Sequence, residues 1–325
     1  NDGPGNPDHL GWDDFMRDCV TRSIMNICGE CWSVKRLMPL SSAPLGLWDA
    51  SAYPGYSTGY YYGYGRGQDA KAWMTMGAQD FIVPQIYWDN PDPAPNFNEI
   101  MDDWLTAANA AGRYLVPGSN MSNGVAEVEA HALYARNEGC AGHNIWHSGN
   151  ASFPTWSAAG HVYASAAPAT PTYPWRDTEG VIVGRVYQDS AKTTPIPDAW
   201  VNSNGTTWTA LSSGDGFYCF LRVSPGTYSM TATHSAIGTL TRSSIVVNAG
   251  EATTVDFYPD PVPPPDAPSN LVATPGVTTV DLTWTDNSSD ETGFELRRAT
   301  ATGGPYTTVH TAAADTTAYT DTPPA

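Results

Sequence analysis

One stretch, Asp80-Phe81-Ile82-Val83-Pro84-Gln85-Ile86-Tyr87-Trp88-Asp89, constrains the fold of this 325-residue chain more than any other. A short apolar strand there runs straight into a polar and aromatic cluster, and segments of helical period alternate with further short strands on both sides. Strands separated by helices with short links lie parallel and join through right-handed crossovers. The rhythm over residues 1–178 therefore predicts four βα units, about half of a (β/α)8 barrel. Such a barrel keeps its chemistry at the C-terminal ends of its strands, which is where Gln85, Tyr87, Trp88 and Asp89 fall.

Trp12, Phe15, Met16, Cys19, Val20, Ile24, Ile27 and Cys28 recur at helical spacing and predict a first helix from about Trp12 to Cys31. A strand from Met38 to Leu47 ends at Trp48, and a Tyr/Gly-rich loop from Tyr53 to Gly67 leads to a short helix holding Ala70, Trp73 and Met74. After the Phe81–Tyr87 strand comes a helix with Phe97, Ile100, Met101, Trp104, Leu105 and Ala108 on one face. Strand Tyr114–Pro117, helix Val125–Asn137 and strand His143–His147 follow, and a Pro-rich tail from Pro168 to Trp175 closes the region. Beyond Glu179 the period drops to two. Short alternating strands separated by turns such as Ser213-Gly214-Asp215-Gly216 predict an all-β sandwich over 179–259. A stiff Pro-rich linker spans 260–265, and a second all-β sandwich, partial in its strand complement, occupies 266–325 with Val280, Leu282 and Trp284 on one face.

The formal charge of −18 repels phosphate and sets nucleic acid aside as a partner. Few Lys, many Thr, Ser, Asn and Gly, and 12 Trp suit an extracellular protein that handles neutral glycans. No apolar run approaches the roughly 18 residues of a membrane span. The opening Asn-Asp-Gly-Pro-Gly-Asn-Pro-Asp has neither an initiator Met nor a signal peptide and reads as the inside of a loop, so a processed chain or a fragment is expected. Cys28 and Cys31 form a lone C-x-x-C with no second pair, and with Cys19 they fall on the apolar stripe of the first helix. Buried thiols are the expectation, ahead of a disulfide or a redox or metal role.

Three segments resemble known families. The first resembles the C-terminal half of the TIM-barrel glycosyl hydrolase-like family ten. The carriers are the helix Trp12 to Lys35, the strand end Pro44-Leu45-Gly46-Leu47-Trp48 and the run Gly77 to Trp88 with its Pro84-Gln85-x-Tyr87-Trp88; the helix ending Asp103-Trp104-Leu105 and the close at Pro171 to Trp175 complete them. The resemblance implies strands five to eight here, with strands one to four and the family's acidic motif preceding Asn1, so that another chain or a further segment would complete the barrel. Trp48 departs from the pattern in being followed by Asp49 and a long Tyr-rich insertion. Residues 179–259 resemble carboxypeptidase regulatory-like, transthyretin-like sandwiches through Gly184-Arg185-Val186, Asp215-Gly216-x-Tyr218-x-Phe220 and Pro225-Gly226-x-Tyr228. Residues 266–325 resemble a fibronectin type III domain that stops before its last two strands, through Pro268-Ser269-Asn270-Leu271, the Trp284 strand and Gly293-Phe294-Glu295-Leu296.

Glycoside hydrolysis takes two carboxyl groups flanking the scissile bond. Asp49 and Asp89 sit just past strand ends and are the candidate catalytic residues, with turn or capping roles as the competing reading. Asp80 precedes its strand and is read as structural. Tyr87 and Trp88 suit a sugar-stacking platform; alternation sends one into the barrel mouth and the other toward the helices, with core packing as the competitor. Gln85, Trp48, Asn120 and His147 hold rim positions and are candidate substrate-binding residues. His143 and His147 lack companions at ligand spacing, so neither a metal nor a cofactor is expected. The chain reads as a secreted or surface glycoside hydrolase acting on a polysaccharide, which the resemblance extends to cell-wall amino-sugar glycans. The alternatives are a non-catalytic structural component of an extracellular matrix or filament, and a carbohydrate-binding surface protein.

Overall fold

The computed structural model describes residues 6, 8–53, 62–91, 95–147, 149, 171–261 and 263–324. Two compact units divide the chain, residues 1–259 and 260–325.

The first unit opens with a mixed α/β region. Helix α1 (Trp12–Val34) precedes strand β1 (Ser41–Ser42), helix α2 (Ala70–Thr75), strand β2 (Phe81–Ile82) and helix α3 (Phe97–Ala111). Strands β3 (Tyr114–Leu115) and β4 (Gly118–Asn120), helix α4 (Val125–Asn137) and strand β5 (Asn144–Trp146) follow. Helix α3 shows why the boundaries fall where they do. Asn96 accepts from the Glu99 amide at 3.1 Å while Glu99 reaches back to Asn96, a capping box, and Gly112 ends the helix at φ +65°. Between these caps Phe97, Ile100, Met101, Trp104 and Ala108 present one fully buried face.

The strands are short and parallel. Sheet β1-β2-β3 pairs Ser42 with Ile82 and Ile82 with Leu115, single bridges extend it through Leu45, Gln85 and Gly118, and β4 pairs with β5. The four segments thus lie side by side in chain order, as small parallel sheets; the described residues form no closed barrel. The ladders are shorter than the apolar runs suggest because Pro39, Pro44, Pro84 and Pro117 interrupt them, each lacking a backbone donor. The Tyr-rich loop over 54–61 and the start of the Pro-rich tail at 168–170 lie outside the described residues.

At the N-terminal ends of these strands sits a buried ion pair. Asp80 accepts from Arg176 Nε at 2.8 Å, from Arg176 Nη2, from Trp175 Nε1 at 2.9 Å and from the Leu40 amide at 2.7 Å. The segment 171–177 is thereby pinned across the bottom of the sheet, with Tyr173 and Trp175 against Tyr114. Asp80 is structural, as its place before the strand implies.

Strands β6 (Gly180–Arg185), β7 (Trp200–Ser203), β8 (Thr209–Leu211), β9 (Phe217–Val223), β10 (Gly226–His234), β11 (Gly238–Val247) and β12 (Ala252–Thr254) build two facing sheets, β11-β10-β7-β8 and β12-β6-β9. Tyr218 and Phe220 of β9 point into the sandwich core, while Phe217, Cys219 and Leu221 join the core of the α/β region. Helix α1 therefore covers the outer face of β6 and β9, and one hydrophobic core runs across the seam. Gly29 is what permits this approach: a Cβ there would lie 2.7 Å from Cys219 Cβ. Glu179 staples the same seam, bonded at 3.0 Å to Arg113 on one side and at 3.0 Å to Arg222 on the other. All five cysteines are free thiols. Cys28 donates to the Ala78 carbonyl at 2.8 Å, and burial pushes its pKa up to about 12, so it stays protonated.

The second unit is antiparallel. Strands β13 (Ser269–Pro275), β14 (Val280–Thr285) and β17 (Ala318–Asp321) form one sheet; β15 (Gly293–Arg298) and β16 (Thr307–Ala313) form the other. Trp284, Leu296 and Ala312 are its buried core.

Candidate functional site

Register decides which side chains share a face at the C-terminal ends of the parallel strands. Gln85 bridges to both Leu45 and Gly118, and Gly118 pairs with Asn144. Two residues further along, Asn120 pairs directly with Trp146. Tyr87 lies two residues beyond Gln85, past the last bridge of its own segment. Ile86 is fully buried and Trp88 packs on the core between the sheet and the helices. Trp88 is thus the aromatic of the pair that packs on the core. Tyr87 is half-buried, and that burial raises its phenol pKa.

Trp146 is the residue that the pattern of the sequence did not single out. It is 58% exposed, with the His147 ring edge-on at 5.5 Å. Asn120 uses its Oδ1 to accept from the Ser122 amide at 3.0 Å, which leaves Nδ2 to donate. His147 Nδ1 accepts from the Gly149 amide at 3.1 Å, so the neutral ring carries its proton on Nε2. The exposed indole thus has Asn120 as its strand partner and the His147 ring beside it. Its sequence signal was an isolated Trp at the last strand end beside a His.

The other rim residues are tied into local structure. Trp48 lies edge-on to Tyr64 at 5.3 Å, with Lys71 Nζ 4.6 Å from its ring. Gln85 Nε2 donates to the Ala43 carbonyl at 2.7 Å and stitches two strand ends together. Asp49 caps a short 3-10 turn, accepting from Ser51 Oγ at 2.9 Å. Asp89 accepts from Asn123 Nδ2.

Behind Asp89 lies a buried polar chain. Glu127 Oε1 takes the Asn90 amide at 2.7 Å and contacts His131 Nε2 at 3.1 Å. Ser119 Oγ lies 2.9 Å from His131 Nδ1 and 2.9 Å from His143 Nε2. A carboxylate only accepts, so His131 carries its proton on Nε2, Ser119 donates to His131 Nδ1, and His143 Nε2 donates to Ser119. Phe97 stacks on His131 at 3.7 Å. Burial pulls His131 down to about 4, and burial together with His131 pulls His143 down to about 3, so both rings are neutral. Ser119 and His131 are fully buried, and the array is internal to the fold. The i, i+4 spacing of Glu127 and His131 was its only trace in the sequence.

Residues 181–258 are a carboxypeptidase regulatory-like domain. No curated protein matches the chain. Among solved structures, a provisionally named carbohydrate binding protein from Bacteroides uniformis aligns at 16% identity over 37% of this chain and 58% of its own, with a TM-score of 0.21. A second so named, from Pseudomonas aeruginosa, aligns at 15% identity over 28% of this chain and 99% of its own, with a TM-score of 0.18. Fervidolysin from Fervidobacterium pennivorans, a keratinolytic enzyme, aligns at 11% identity over 69% of this chain and 58% of its own, with a TM-score of 0.24. The chain thus spans little more than half the length of the first and third of these proteins.

Proposed function

We propose that this chain is a carbohydrate-binding protein of the extracellular or cell-surface space, and that its α/β region is the C-terminal half of a (β/α)8 barrel. The observation that carries the reading is the pairing of Asn120 with the exposed Trp146 at a strand end, with the His147 ring beside the indole. Exposed aromatic faces bind the apolar face of a pyranose, and flanking N–H groups orient its hydroxyls. Parallel segments in chain order, with intervening helices, support the half-barrel reading. A net charge of −18 favours neutral or amino-sugar glycans over acidic ones.

Binding without turnover fits the carboxylates better than hydrolysis does. Asp49 is spent on a turn and Asp89 is held by Asn123, whereas a glycosidase needs two acids facing one bond. The carboxypeptidase regulatory-like domain and the second unit, read as a partial fibronectin-like module, then serve as the support on which the face is displayed. Mapping neutral oligosaccharides onto the labelled chain by NMR tests this: shifts centred on Asn120, Trp146 and His147 are expected, and shifts confined to residues 260–325 would sink it.

A further inference from the structure

The tripeptide Ser-Asn-Gly occurs twice, as Ser122-Asn123-Gly124 and Ser203-Asn204-Gly205, and the fold treats the two copies oppositely. An Asn-Gly step is open to self-modification because the glycine amide carries no side chain to hinder its turn back onto the asparagine carboxamide. At Asn123 both reacting groups are engaged. Its Nδ2 donates to Asp89, and the Gly124 amide donates to the Met121 carbonyl at 3.1 Å. Both residues are half-buried. Attack there has to wait until these bonds open together.

Asn204 lies in the turn between β7 and β8, where the Thr206 amide donates to the Ser203 carbonyl at 3.2 Å. Gly205 takes φ +81°, both residues are exposed, and nothing lies within 4 Å of where a Gly205 Cβ would sit. The Gly205 amide has no acceptor among the described residues. A single exposed hydrogen bond, Nδ2 to Ser229 Oγ of β10 at 3.1 Å, holds the Asn204 carboxamide. Such a bond is worth little against water.

We propose that Asn204 is a self-modification site, converted in the folded chain to aspartate and isoaspartate through a succinimide formed with Gly205. The Gly205 nitrogen gives its proton to a solvent base and bonds to Asn204 Cγ. The Cγ–Nδ2 bond breaks, and ammonia leaves with a solvent proton. Water then adds to either carbonyl carbon of the ring and reopens it, so an acid replaces the amide and no oxidant or cofactor is consumed. Opening at the main-chain carbonyl routes the backbone through Cγ and lengthens the turn that joins β7 to β8. Both products lose the donor to Ser229 and place a negative charge beside β10.

The test incubates the full native chain in mildly alkaline buffer, with the urea-unfolded chain alongside. Peptide mass mapping, with aspartyl and isoaspartyl products separated, follows both sites. Native Asn204 should convert about tenfold faster than native Asn123 or more, and the two rates should converge in urea, where the identical tripeptides are equally free. An unchanged Asn204 in the native chain would overturn the proposal. So would equal conversion of both sites in the native chain, or a difference that persists in urea, since either result would deny the fold its part in the selection.

Discussion

Replacing Asp80 by Ala tests the buried lock at the bottom of the α/β region. Its carboxylate is the counter-charge of Arg176, and the two side chains are 1% and 3% exposed. Removing one partner of such a pair strands a charge in a low dielectric and costs about 3–5 kcal/mol. The Leu40 amide and the Trp175 indole N–H also lose their acceptor, which puts the total at the upper end of that range. For a unit of 259 residues, at about 2–4 °C per kcal/mol, the melting temperature should fall by about 10–15 °C. Replacing both partners, Asp80→Leu with Arg176→Met, removes the stranded charge and should recover much of the loss. Urea and thermal denaturation followed by circular dichroism measure both. A loss below about 1 kcal/mol for D80A, or a double variant no more stable than the single one, would refute the reasoning.

Acid should destabilise the fold through His131. Its folded pKa of about 4 lies below the unfolded 6.5, so its contribution is complete above pH 6.5 and is lost as pH falls toward 4; by linkage this amounts to about 3 kcal/mol, and His131→Phe should flatten that part of the pH–stability curve. Gly29→Val should cost about 1–3 kcal/mol, since its side chain would collide with Cys219 across the seam, while Ser23→Val, on the exposed side of the same helix, should cost little; equal losses would place the seam elsewhere. Because Asp49 and Asp89 do local structural work, incubation of the chain with neutral polysaccharides should release no reducing ends, and turnover abolished by Asp89→Asn would restore the hydrolase reading.

Helices were the legible part of this sequence. Val125–Asn137 was readable to the residue because Gly124 and the change of period mark its ends. Strands β1 and β2 were readable in position but not in length, since prolines shorten the ladders without altering the apolar pattern. Strand β8, Thr209-Ala210-Leu211, is too short to show alternation in the sequence. Alternation separated Tyr87 from Trp88 without saying which packs on the core, and the exposure of Trp146 depends on how little of the described chain covers it. The run Phe217-Tyr218-Cys219-Phe220-Leu221 hinted that both faces of β9 are buried, but its partner, α1, lies almost 200 residues away in sequence. Contacts of that range leave no local pattern.

The central claim is the glycan-binding face, and Trp146→Ala tests it most directly. At 58% exposure the indole contributes little to the fold, so the variant should keep its melting temperature. Calorimetric titration with neutral glucan and N-acetylglucosamine oligosaccharides should show saturable binding to the native chain, weakened by about 1–3 kcal/mol in the variant. Undiminished binding by Trp146→Ala, or no binding of either oligosaccharide by the native chain, would contradict the account.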